Sequence, residues 1–174
     1  YTLSLHDALP ISIYGQGAHA LSQQLKIEHS RLNSLPSKAL ANLHQLDEVR
    51  LTNANISEFA ADAFVGLDKL KILDLHDNKL STIPKGVFQP LRNLEVLDLG
   101  RNSLAKLQPV YFSDLAKLIS LNVSHNGLTE YPRGVFARNT VRMKMGVFFD
   151  VIVILYFSSK WNQVLRVLNL NGNL

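Results

Sequence analysis

Two aspartates 24 positions apart, Asp74 and Asp98, and three histidines, His29, His76 and His125, are the side chains best suited by type to acid–base or metal chemistry. Paired carboxylates can share general acid and general base roles, and imidazoles are common zinc ligands. Either reading depends on what holds the residues together. Asp74 and Asp98 stand in matching contexts, Leu73-Asp74-Leu75 and Leu97-Asp98-Leu99. An apolar, polar, apolar alternation is that of a short strand with its polar side chain turned away from the core.

The strands recur. The template LxxLxLxxNxL fits Leu70-Leu73-Leu75-Asn78-Leu80, Leu94-Leu97-Leu99-Asn102-Leu104 and Leu118-Leu121-Val123-Asn126-Leu128, with starts 24 residues apart. Earlier steps give Leu46-Val49-Leu51-Ile56, with Ala54 at the Asn position, and Ser22-Leu25-Ile27-Leu32, with Ser30 there. The second half of each unit repeats as well: Leu40, Phe64, Phe88, Phe112 and Phe136 share one position, and Leu43, Leu67, Leu91 and Leu115 close the unit. These residues resemble the leucine-rich repeat family. The tail from Ile83 to Leu94, IPxGxFxxLxxL, is similar to the 24-residue class of animal cell-surface proteins such as Toll-type receptors.

The resemblance implies an α/β fold: a right-handed leucine-rich repeat solenoid, here a horseshoe fragment, with a parallel sheet on its concave face. Strands are predicted near 25–27, 49–51, 73–75, 97–99 and 121–123, joined by mostly irregular convex segments. Strands one repeat apart must run parallel, because each coil of chain follows the same path. Asn78, Asn102 and Asn126 follow the strand where the chain turns inward, and a buried amide can donate to and accept from the backbone of adjacent coils. An asparagine ladder is expected, weaker where Ser30 and Ala54 interrupt it. The phenylalanines are expected to form a second apolar spine toward the convex side.

Function then belongs to positions that the core leaves free. The middle-strand column is Lys26, Arg50, Asp74, Asp98 and Asn122, with Asn169 after an interruption. Columns just beyond the strand include His76 and, one residue on, Arg101 and His125. Lys26, Arg50, Asp74, His76, Asp98, Arg101, Asn122 and His125 are therefore the candidate ligand-binding residues of the concave face. Asp74 and Asp98 would lie on strands about 4.8 Å apart, but a shallow sheet offers them no closed pocket, so no catalytic residue and no enzyme is expected. His29, His76 and His125 come from separate coils and cannot converge to zinc-bond distances of about 2 Å, so neither a metal nor another cofactor is expected. Asn55-Ile56-Ser57 and Asn122-Val123-Ser124 are N-glycosylation sequons, making Asn55 and Asn122 candidates for modification in a secreted chain.

Composition bounds the possibilities to a folded domain. The 174 residues are 47% hydrophobic and carry a formal net charge of +4, with both signs scattered. No nucleic-acid footprint is expected from such a distribution. There is no cysteine, which excludes disulfides and thiol chemistry within this sequence. No apolar run reaches the roughly 20 residues of a membrane span, so membrane attachment is expected only through segments absent from this fragment. The resemblance implies a protein ligand or co-receptor, with the chain at the cell surface or outside the cell; an intracellular leucine-rich repeat scaffold is the alternative.

Five stretches follow. Residues 1–12 are similar, residue for residue, to a translated sequencing-library adapter and are read as an assembly artefact; 13–21 are a truncated edge, and 22–140 hold five repeats. Residues 141–163 break the pattern with Gly146-Val147-Phe148-Phe149-Asp150-Val151-Ile152-Val153-Ile154-Leu155-Tyr156-Phe157, and 164–174 begin a sixth repeat. Removing the 23 residues moves Leu165 to position 142, the start expected from 118 plus 24, so the insertion is read as a retained intron. The alternative is a genuine loop whose apolar run has no repeat core to enter.

Overall fold

Alternation of leucine with polar residues every second position makes one face of each strand apolar, and five such strands repeat at the same interval. In the computed structural model, which describes residues 23–128 and the backbone of 142–148 and 151–156, they stack as expected. The strands are β1 (Gln24–Glu28), β3 (Glu48–Thr52), β5 (Ile72–Asp74), β6 (Val96–Asp98) and β7 (Ser120–Val123). They are parallel neighbours in the order β1-β3-β5-β6-β7. Register follows the sequence period: Leu25 faces Val49, Val49 faces Leu73, Leu73 faces Leu97 and Leu97 faces Leu121. A second pair, β2 (Ser34–Leu35) and β4 (Glu58–Phe59), joins the first two coils beyond the main sheet.

The convex layer contains no α-helix among the described residues. Its turns are closed by successive bonds to residues three back, such as Ala63 N to Ala60 O, Leu67 N to Phe64 O and Leu70 N to Leu67 O. One 3-10 segment, Pro109–Tyr111, lies in the fourth coil. Gly66 permits the tight return here: its φ is +91°, and a Cβ would lie 2.5 Å from the Ala41 carbonyl oxygen of the preceding coil.

Between the layers the repeat leucines form one continuous core; Leu67, Leu70, Leu73, Leu75, Leu91, Leu94, Leu97 and Leu99 have no exposure. The aromatic spine is present, with Phe64 and Phe88 centroids 6.1 Å apart and Phe88 and Phe112 6.5 Å apart, both stacked. Phe59, at the end of β4, joins it edge-on to Phe64 at 5.6 Å. Leu32 and Leu43 in the first described coil are only partly buried, whereas the matching Leu80 and Leu91 are fully so.

The asparagine ladder forms as the sequence predicts. Asn78 donates to the carbonyls of Leu51, Leu75 and His76, and accepts from Ala54 N and Ile56 N. Asn102 donates to Leu75, Leu99 and Gly100 carbonyls and accepts from Leu80 N. Asn126 repeats the pattern one coil on. Where Ala54 interrupts it, the Ala54 carbonyl itself accepts from Leu32 N at 3.0 Å. At the other interruption, the Ser30 hydroxyl is buried with no hydrogen-bond partner.

Past β7 the sheet continues in a way the repeat pattern does not anticipate. Strand β8 (Arg142–Phe148) lies parallel to β7, pairing Ser120 with Arg142 and Leu121 with Met143. Strand β9 (Val151–Tyr156) then turns back antiparallel to β8. The step from β7 to β8 is 22 residues rather than 24; a difference of two preserves the alternation of faces. A segment rich in Val, Ile and Phe has high strand propensity, and the unpaired edge of β7 offers backbone groups to bind. Thus the run that seems to have no core to enter has a sheet edge to join. The adapter-like residues 1–12, the edge 13–21, Phe136 and the sixth-repeat residues 164–174 lie outside the described residues.

Candidate recognition surface on the concave sheet

Each main strand turns its first, third and, where present, fifth residue to the concave side. The first column is Gln24, Glu48, Ile72, Val96 and Ser120; the middle column is Lys26, Arg50, Asp74, Asp98 and Asn122. The sequence-predicted residues Arg50, Asp74, His76, Asp98 and Asn122 are thus brought together at the centre, with Lys26 exposed on β1 at one side.

Their polar groups largely answer one another. The Arg50 guanidinium donates to Glu48 and, at 3.1 Å, to Asp74 Oδ2. Asp74 Oδ1 takes the His76 amide at 3.1 Å and meets the His76 ring Nδ1 at 2.7 Å. On the next coil, Asp98 Oδ1 accepts from Gly100 N at 2.8 Å, and Asn122 Nδ2 lies 2.9 Å from both Asp98 oxygens. Asn122 Oδ1 accepts from Ser124 N in turn. Asp74, Asp98 and Asn122 therefore share one local role: each accepts from the backbone N–H two residues later, where the strand ends and ladder bonds run out. That role explains acids and amides in this column without catalysis.

Burial and charge shape the centre. Asp74 is 5% exposed and Glu48 8%, and the guanidinium of Arg50 compensates both. The hydrogen bond to Glu48 is the chief cause of the raised Arg50 pKa, outweighing desolvation. Burial pulls the His76 imidazole down, but the bond and charge of Asp74, with Asp98 and Asp77, together outweigh it and leave the pKa above the ordinary histidine value. His76 Nε2 also faces Asp77 Oδ2 at 3.7 Å.

Arg101 forms no ion pair among the described residues; the basic groups set against the acidic centre are Arg50 and His76. Metal reasoning had considered histidines only, whereas Asp74, His76 and Asp98 each place a ligand atom within 4.8 Å of the others. Strand-face alternation combined with the 24-residue step could have found that trio. Its atoms are engaged by Arg50, Gly100 and Asn122, so the group is organised as a hydrogen-bond network.

The column one residue further on, His29, Asn53, Asp77, Arg101 and His125, follows from the 24-residue step, but its backbone conformation does not: all five adopt positive φ, between 49° and 55°. Asn, Asp and His tolerate this left-handed region better than most residues; Arg101 has no such preference. The turn brings His29 Nδ1 within 2.8 Å of Asn53 Nδ2 and leaves His125 exposed.

Of the two sequons, Asn122 has its amide nitrogen committed to Asp98, while Asn55 lies beyond the strand ends, bonded to Asn33.

This repeating frame, with its buried leucines and asparagines and an open polar sheet, is that of a solenoid recognition module. The leucine rich repeat family matches in overlapping stretches, residues 23–80, 68–128 and 92–139, and the chain belongs to that family. Among curated proteins none matches significantly. Among solved structures, the TLR13–ssRNA13 complex is 31% identical with a TM-score of 0.56, over 59% of this chain and 14% of that one. The LRIM1/APL1C complex is 26% identical with a TM-score of 0.60, over 67% of this chain and 23% of that one. The chain thus spans less than a quarter of the length of either relative.

Proposed function

We propose that this chain recognises a protein ligand or co-receptor through the concave face of its sheet, as part of a cell-surface receptor or adhesion ectodomain. The observation that carries the reading is the set of side-by-side concave columns, in which half-buried and exposed polar side chains from five coils face one way over a leucine core. The 24-residue repeat class, the Asn55 sequon and the likeness to a Toll-like receptor and to LRIM1/APL1C support the cell-surface setting. The TLR13 relative is in complex with single-stranded RNA. Here the acids Asp74 and Asp98 at the centre favour a protein over a polyanion, and RNA becomes a control.

Size limits the affinity. Five strands at about 4.8 Å, each presenting about 17 Å of length, give roughly 400 Å²; β8 and β9 raise this to roughly 570 Å². A standard interface takes about 800 Å² from each partner, so the fragment binds more weakly than a longer solenoid would.

The test is an array of purified secreted and cell-surface proteins and single-stranded RNA oligomers, probed with the chain and three variants of it. A ligand of the expected kind is a protein whose signal falls with Lys26→Glu and Ser120→Arg, on the concave side, and persists with Lys85→Glu, on the convex side. Binding that follows Lys85 alone, or RNA as the sole ligand, would overturn the proposal.

A further inference from the structure

The concave acids are not equivalent. Glu48 and Asp74 share the guanidinium of Arg50. Asp98, half-buried on the next strand, has no ion-pair partner among the described residues and accepts only from the neutral donors Gly100 N and Asn122 Nδ2. Its Oδ2 takes one bond, from Asn122, leaving acceptor capacity open. Beside it, on the same face, Ile72 and Val96 are adjacent, directly paired and only half-buried, an apolar step within an otherwise polar column. Gly100, two residues after Asp98, carries no side chain, and the space a Cβ would take there is occupied by the Asn122 amide, which leaves Asp98 Oδ2 as the less engaged oxygen.

A basic group, the His76 imidazole, lies within 4.8 Å but bonds to Asp74 rather than to Asp98. A carboxylate held in no ion pair, next to a partly exposed aliphatic floor, matches a side chain with an apolar stem and a cationic head. We infer that the Asp98 carboxylate, with the Ile72–Val96 floor, receives an arginine side chain presented by the protein ligand. The chain itself contains the precedent one coil back, where Arg50 lies against Asp74 from the neighbouring strand. Arginine suits the site better than lysine because its planar fork binds a carboxylate directionally and its stem packs on apolar surface. A nucleic acid would bring phosphates to the same carboxylate and be repelled. This inference rests on the concave reading of function and adds the chemistry of the partner's central contact.

The experiment is an NMR titration of the isotope-labelled chain with n-butylguanidinium, which carries the head and a stem, and with neutral n-butylurea. Saturable shifts are expected at the Gly100 and Ser124 amides and the Asn122 side-chain amide with the cation and not with the urea. Asp98→Asn, which keeps an acceptor for Gly100 N, should weaken binding about tenfold. If that variant fails to fold, Val96→Thr takes its place and should weaken binding about threefold. Equal response to both probes, absence of a saturable shift, or unchanged affinity in the folded variants would overturn the inference, as would a uridine oligomer shifting these amides where the guanidinium does not. Array binding confined to the convex side would remove the functional reading instead; a concave-bound ligand indifferent to Asp98→Asn would remove only this one.

Discussion

Replacing Asn102 by leucine isolates what the asparagine ladder contributes. Its Nδ2 serves three carbonyls, and each retains another donor: Leu75 O keeps Asn78, Leu99 O keeps Asn126 and Gly100 O keeps Asp77 N. The N–H of Leu80 loses the bond it makes to Oδ1 at 3.0 Å and is left buried. The cost is therefore dominated by one orphaned donor, about 1–3 kcal/mol. Asn78 gives an internal comparison, because its Oδ1 serves two donors, Ala54 N and Ile56 N. Asn78→Leu should cost about 2–6 kcal/mol on the same scale. Urea titrations followed by circular dichroism measure both, and amide exchange should show Leu80 N–H losing protection in the first variant and Ala54 and Ile56 in the second. Variants as stable as the parent, or Asn102→Leu costing more than Asn78→Leu, would refute the donor-counting argument.

Gly66→Ala places a methyl 2.5 Å from a backbone oxygen at a φ of +91°, so thermal melts should show a loss of at least about 2 kcal/mol. His76, whose pKa is raised in the folded chain, contributes stability that is present below its unfolded value near 6.5 and lost as pH rises through the folded value. The stability gap between the parent and His76→Gln should therefore be wider at acid than at alkaline pH, as read from denaturant midpoints. Expression through a secretory pathway should give a glycosidase-sensitive shift that Asn55→Gln abolishes. Deleting residues 141–163 should raise solubility and close a sixth coil on the 24-residue register, with transcripts joining Thr140 to Val164; transcripts that always carry the insertion, with a deletion variant that folds worse, would contradict the retained-intron reading.

Much of the frame was legible because the repeat states each constraint several times. A leucine at one position could belong to any core; leucines or valines at 49, 73, 97 and 121 together fix strand, face and register. The ladder was legible for the same reason, since a polar residue recurring inside an apolar pattern needs backbone partners. The site was legible as a list of concave positions, not as a network. Which acids Arg50 meets depends on side-chain reach across strands: it pairs with Glu48 on its own strand and Asp74 on the next, and Asp98, one strand further on, is in no ion pair. The left-handed conformation of the column from His29 to His125 was hidden because Arg101 and His125 carry no common side-chain signature; the backbone path, set by the coil, imposes the conformation on them. The strands past β7 were hidden because an available sheet edge overrides a broken repeat pattern.

The most direct test of concave recognition is amide exchange of the chain with and without its array-identified ligand. Protection should appear along the ends of β3, β5, β6 and β7, centred on Asp98 and Asn122. Protection confined to the convex turns at 60–67 and 84–91, with these strand ends unchanged, would contradict it.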